Sequence, residues 1–287
     1  MTLFPRPSDL SLLHFELEEG SRSGRFELVP ALARHDGALY GGTAIAASVV
    51  AMEAATGHGA LWITTQYVAT ARLGDVIECT VDVLARGRNI CQVQVTGRFE
   101  SEVLFVSLGS TATPRQGGLE GQYQAMPRTA PPEACESMIF GPGRADGFKG
   151  FTEQVEYRLA ESLGPPETAP PLALWVRLNG DRPFTPAGIA FVADMVPGAI
   201  ARCAGKVGGG ASLDNSLRFG RIPDDQEWIL LELRGHMAVG AHAHGSVSVW
   251  SRTGELLGVG GQSANMNHAF TEEEVDRMVR SGVDPRG

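Results

Sequence analysis

Residues 41–56 read GGTAIAASVVAMEAAT, an alanine-rich stretch without proline in which Ile45, Val49 and Met52 recur at helical spacing, so the stretch is expected to form one helix. Its apolarity is almost continuous, which predicts burial on most sides rather than one stripe against a core. The longest apolar run, AIAASVVAM at 44–52, is well short of the roughly 20 residues that cross a bilayer. Four stretches rich in β-branched residues follow: ALWITTQYVATA (60–71), DVIECTVDVLA (75–85), NICQVQVTGRF (89–99) and EVLFVSLGSTA (102–112), with LGD, RGR and ESE as the turns between them. A buried helix followed by four antiparallel strands is the unit to look for elsewhere.

It recurs. After a Gly-, Pro- and charge-rich interval, FTEQVEYRLA (151–160) and LALWVRLNG (172–180) read as strands. TPAGIAFVADMV (185–196) reads as a second small-residue helix, with Thr185 as N-cap, Pro186 at its first position, and Pro197 and Gly198 ending it. Four more strands are expected at SLDNSLRF, EWILLELRGHM, HAHGSVSVWS and ELLGVGGQSANM. Residues 89–112 laid under 242–265 match in alternation, turn and closing small residues, which points to an internal duplication. The expected organisation is an N-terminal unit over 1–114, a linker over 115–147 and a C-terminal unit over 148–287. A long helix wrapped by a curved antiparallel sheet is the hotdog architecture. The fold class expected is therefore α+β, a double hotdog with two long central helices and the two sheets side by side.

With 287 residues, 43% of them hydrophobic and 20% charged, the chain has the make-up of a globular protein with a core that needs no staples. A formal net charge of −9 without a basic block argues against nucleic acid or an anionic membrane as partner, because both demand clustered Lys and Arg. Cys79, Cys91, Cys135 and Cys203 are scattered, form no C-x-x-C pair and follow no secretory leader pattern, so a reducing, cytoplasmic setting is expected. Outer sheet edges of such a fold favour burial in a second copy, so a homodimer or higher homo-oligomer is expected.

Over roughly residues 20–267 the chain resembles the acyl-CoA thioesterase II family, double-hotdog enzymes that hydrolyse acyl-CoA to free acid and CoA. The resemblance rests on LYGGTAIAAS, ARLGD and RGRNICQVQVTG in the first half, and on LWVRLNG, VADMVPGAI, SLDNSLRF, EWILLEL and GVGGQSANM in the second. It implies a catalytic trio of Asp, Thr or Ser, and Gln, which falls on Asp194, Ser212 and Gln262, an acyl-CoA substrate and no cofactor or metal. Two departures stand out. A family His falls on Tyr67, a candidate substrate contact, and Asn215, Arg218 and Gly220 stand where close relatives carry His, Trp and His.

The chemistry fits those residue types. An Asp near a helix C-terminus meets the negative end of the dipole, and burial beside Met195 and Val196 pushes its pKa the same way, toward the range where a general base for water works best. Ser212 and Gln262 are suited to hold the carboxylate or the water, and an amide does so without titrating. Backbone N–H groups of Gly41 and Gly42, at a helix start without bulky side chains, are candidate donors to the oxyanion. Arg88, with Arg86 in the same turn, is a candidate for CoA phosphates. Between the halves, Asp194 aligns with about Val50, Ser212 with about Ile63, and Gln262 with Gly109, so only the second half carries the polar groups.

Competing readings attach to other residues. His35 and Asp36 would serve a hotdog hydratase or dehydratase, and a pocket without chemistry would make an acyl-CoA-binding module. His242 and His244 share a strand face but lack a third metal ligand, and VGGGAS (207–212) reads as a flexible connection rather than a phosphate loop.

Overall fold

The computed structural model describes residues 4–17, 22–113, 117–138, 148–164, 172–180, 182–267, 269–271, 273–274 and 277. The first half runs α1 (Pro7–Leu13), β1 (Glu16–Leu17), β2 (Ser23–Glu27), α2 (Gly41–Thr56), β3 (Gly59–Tyr67), β4 (Val76–Arg86), β5 (Ile90–Phe99) and β6 (Glu102–Ala112). The second runs β7 (Glu136–Met138), β8 (Val155–Leu159), β9 (Leu172–Leu178), α3 (Pro186–Val192), α4 (Val196–Cys203), β10 (Val207–Gly208), β11 (Ala211–Phe219), β12 (Trp228–Val239), β13 (His242–Ser251), β14 (Leu256–Asn265) and β15 (Ala269–Phe270). The stretch expected as strand at 151–160 begins instead as a 3-10 turn over Gly150–Gln154.

Among the described residues thirteen strands form one antiparallel sheet in the order β1-β2-β4-β5-β6-β3-β11-β14-β13-β12-β9-β8-β7, while β10 pairs with β15. The order is symmetric about the β3–β11 seam but for one extra edge strand on the β11 side, and across the seam Ser216 faces Thr64 and Leu217 faces Ile63. The repeat read in the sequence is therefore a pseudo-twofold in space. Short strands, β1 and β7, form the two outer edges, and among the described residues β2 and β9 pair with only the first half of β4 and of β12, whose remaining residues pair on one side alone.

Helix α2 lies in the concave face as its composition predicts, with Ala44, Ile45, Ala46, Ala47, Val49 and Val50 fully buried. Each large apolar side chain so buried contributes about 1.5–3 kcal/mol. Where α2 meets α3, a Cβ on Gly42 would overlap the Phe191 carbonyl oxygen and the Tyr40 ring. Only a glycine lets the two backbones approach so closely.

The second helix differs from expectation. Thr185 caps it as predicted, its Oγ1 accepting from the Gly188 N–H at 3.0 Å. It stops at Val192, however, and restarts at Val196, so the stretch forms two short helices rather than one long one. Pro197 does not end a helix: it sits in the first turn of α4. A continuous helix would drive its ring into the carbonyl of residue 193, so the chain breaks there instead, and Asp194 occupies the break. Pro186–Cys203 is apolar enough by composition to span a membrane, but 78% of it is buried inside the molecule, as for a core segment.

Residues 117–135 run across the outer face of the second half's sheet and lead into β7. The Trp175 indole donates to the Ala130 carbonyl at 2.8 Å, and Gln122 both donates to the Gly254 carbonyl and accepts from the Leu256 N–H. Beneath this strap, Trp175, Trp228, Leu230 and Trp250 form a second, smaller apolar cluster. Part of the expected linker is thus packed structure. Its GPGRADG segment, 141–147, lies outside the described residues.

Candidate active site

The α3–α4 break turns the Asp194 side chain into the core, where the residue is only 8% exposed. Its Oδ1 accepts from Asn215 Nδ2 at 3.0 Å and from Gln262 Nε2. The Gly42 N–H, at the start of α2, also donates to the carboxylate. Oδ2 lies over Gly41, close enough that a Cβ there would stand 2.5 Å from it. Glycine at 41 is therefore what admits the carboxylate to the end of α2.

Burial raises the Asp194 pKa from 3.8 to about 7, against the opposing pull of the Asn215, Gly42 and Gln262 hydrogen bonds and the charge of Arg34. The upward shift expected from burial is present. The dipole argument is corrected: Asp194 sits between the end of α3 and the start of α4 and faces the N-terminus of α2, whose dipole favours the charged form. Desolvation outweighs that help.

Gln262 Nε2 also donates to Ser212 Oγ at 2.7 Å. Both amide hydrogens are then committed, one to the acid and one to the hydroxyl, so Ser212 keeps its own proton to donate elsewhere. Gln262 Oε1 is buried without a partner. The three residues expected as a trio do converge, with Gln262 as the link between the other two.

Asn215 was not among the expected site residues, yet it is 1% exposed and touches the carboxylate directly. In a regular strand 212 and 215 face opposite sides. A bulge between Ser212 and Asp214 inserts one residue in β11, so both side chains turn inward. Alternation counted back from buried Leu217 would have found Asn215, but would have sent Ser212 outward. The same bulge recurs between Ala60 and Trp62 in β3. Register then corrects the alignment of the halves: Gln262 pairs with Asn215 and Gly109 with Ile63, so Asn215 corresponds to Ile63 and Ser212 to Ala60. Where Gln262 reaches inward in the second half, the first has Gly109 with Met52 Sδ 3.1 Å from the position of a Cβ.

Other expected residues are placed differently. The Gly42 N–H, expected at the oxyanion, is turned to Asp194. Tyr67 donates from Oη to the Gly41 carbonyl at 3.0 Å, behind the carboxylate. Arg86 reaches the Ala55 carbonyl, putting the Arg86–Arg88 turn at the C-terminal end of α2, while Asp194 lies at its N-terminal end. At ~1.5 Å per residue the helix separates them by about 20 Å. The Asp36 carboxylate binds the Arg34 guanidinium and accepts from the Ala38 N–H. Burial of Asp36 is overridden by its Arg34 hydrogen bond and charge, leaving its pKa below the usual value. His35 packs edge-on against Phe151. His244 meets Ser263 Oγ and the His236 ring rather than His242.

With this geometry in hand, comparison with known proteins is direct. The model of the acyl-CoA thioesterase N-terminal domain matches residues 30–113 and that of the C-terminal domain matches 132–266. No curated protein matches the chain. Among solved structures, a protein from Novosphingobium aromaticivorans provisionally assigned as a thioesterase is 28% identical, with TM-score 0.79 over 88% of this chain and 98% of that one. The acyl-CoA thioesterase II of Mycobacterium marinum is 21% identical, with TM-score 0.70 over 90% and 98% of the two chains. A hotdog-fold protein from Alicyclobacillus acidocaldarius shares 16% identity, with TM-score 0.74 over 91% and 98%. Fold and matches together define a hotdog thioester hydrolase. The chain belongs to the acyl-CoA thioesterase family.

Proposed function

We propose that the protein hydrolyses acyl-CoA to a free carboxylic acid and CoA with a water activated by Asp194, supported by Ser212 and Gln262. The observation that carries the reading is a buried carboxylate with its pKa raised to about 7, held on one edge by two uncharged amides. Oδ2 accepts a proton as the water oxygen bonds to the thioester carbon. The Ser212 hydroxyl donates to the oxygen on which negative charge builds. Collapse of the tetrahedral intermediate breaks the C–S bond, and the leaving sulfur takes the proton back from Asp194. Gln262 never titrates, so it holds acid and hydroxyl in one arrangement throughout. Tyr67 and Gly41 stand against the acid at the start of α2 in this scheme, and Arg88, at the far end of that helix, keeps its part as a contact for the CoA phosphates rather than for the reacting carbon.

The pH profile tests this. Only ionised Asp194 accepts a proton, so kcat/KM for acyl-CoA hydrolysis, followed by thiol release from pH 5 to 9, is expected to rise through one ionisation near 7 and then level off. A flat or descending profile would exclude the mechanism. We also propose a homodimer or larger homo-oligomer. Leu61, Leu84, Ile90 and Leu108 stand exposed on first-half strands, over which no counterpart of the strap lies among the described residues. Light scattering should give a multiple of 30.5 kDa, and the monomer mass would refute it.

A further inference from the structure

Asn215 stands at the seam of the two halves, facing Gln262 on one side and Thr65 on the other. Its Nδ2 donates to Asp194 Oδ1 at 3.0 Å, and the same side chain hydrogen-bonds the Tyr67 hydroxyl. The phenol spends its own proton on the Gly41 carbonyl at 3.0 Å, so its oxygen is the acceptor of the Asn215 bond. The next N–H along α2, that of Gly42, returns to Asp194. Four groups from two halves thus close a ring: Asp194, Asn215, Tyr67 and the Gly41–Gly42 backbone. Around that ring each donor has one acceptor. The ring fixes which end of the Asn215 amide meets the acid, because the reversed amide would set oxygen against oxygen and strip Tyr67 of its donor.

We propose that Asn215 is a positioning residue for the hydrolysis, holding Asp194 by its Oδ1 edge so that Oδ2 is left for the water, and that Tyr67 acts through Asn215 by fixing the direction of its amide. The proposal rests on Asp194 being the base. Among the polar groups opposing the effect of burial on Asp194, Asn215 is the foremost. The charged and titratable groups that face the acid are Arg34, from the loop before α2, and three tyrosines: Tyr40 before α2, Tyr67 on β3 and Tyr157 on β8. Burial holds all three phenols above their ordinary value, and an arginine stays charged, so of the groups around the acid only Asp194 titrates between pH 5 and 9, while Asp9 and Glu53, raised by burial to about 6 and about 8, are bonded to the Thr185 hydroxyl and the Ala60 N–H instead.

The test compares pH profiles of kcat/KM for wild type, Asn215→Ala, Tyr67→Phe and the double variant, with the acyl-CoA that wild type hydrolyses fastest in a straight-chain panel. Asn215→Ala should move the inflection upward by about one pH unit and lower the rate at pH 7 by roughly 10-fold, with part of the loss regained at pH 9. Tyr67→Phe keeps the ring and removes one hydroxyl. It should give a smaller shift in the same direction with KM unchanged, and the double variant should match Asn215→Ala alone. An unmoved inflection in Asn215→Ala, or additive losses in the double variant, overturns the proposal. Should Asn215→Ala not fold, Tyr67→Phe decides alone, and a profile identical to wild type overturns it. Failure of the base assignment looks different: wild type would then show no ionisation near 7 for any variant to shift.

Discussion

Asp194→Asn is expected to cut kcat for acyl-CoA hydrolysis by about 10²–10⁴-fold, the range for removing a positioned general base, with little change in KM. The variant is isosteric and can still accept from Asn215 and Gln262, so the loss reports the missing proton acceptor rather than a collapsed site. A second readout separates chemistry from damage. The folded-state pKa of Asp194 is raised from 3.8 to about 7, so the folded state prefers the protonated acid. The stability tied to that preference is fully present below about pH 4 and lost as pH rises through about 7. For so buried a group this is of order 4 kcal/mol at most. Asparagine cannot ionise and escapes the loss. In thermal melts from pH 5 to 9, Asp194→Asn should gain on wild type as pH rises, and a gap that stays constant would mean residue 194 does not titrate there.

The second large effect is on the fold. Gly42→Ala is expected to destabilise the protein by roughly 2 kcal/mol or more, even though alanine is the better helix former by about 1 kcal/mol. The reason is local: the new methyl overlaps the Phe191 carbonyl oxygen, backbone that moves only if α3 moves, and the Tyr40 ring. Pushing α3 from α2 also shifts the break that carries Asp194, so activity should fall with stability. Gly198→Ala is the matched control, for that glycine lies within α4 with nothing within 4 Å of a Cβ. It should be neutral or mildly stabilising. A melting temperature lowered equally by both would remove the special role of the α2–α3 contact.

Much of this was legible in the sequence, and what was not has physical reasons. α2 announced itself because continuous apolarity over 16 residues has few other uses, and the strands followed from alternation. Thr185 and Pro186 marked a helix start by capping chemistry that acts within one turn. The end of that helix was misread because Pro197 is as much at home in a first turn as after a last one, and only packing in the fold decides which. Asn215 was missed because a bulge changes the parity of a strand without any residue type that advertises it. Gly42 was expected to donate to the oxyanion, but its N–H turns to Asp194, a residue about 150 positions away that no local reading of α2 could supply. Asp194, Ser212 and Gln262 were singled out through resemblance; their linkage through one amide is a matter of register that no single strand encodes.

The seam between β3 and β11 joins two repeats of one polypeptide, and this changes what mutation can do. In an assembly of identical subunits every substitution appears on both sides of the axis, so a change that ruins one pocket ruins its twin. Here an altered codon lands once. Met52 could settle over Gly109, and Ala60 and Ile63 could lose any polar function, while Ser212, Asn215 and Gln262 were untouched. Joined in one chain, the two halves need not share a fate.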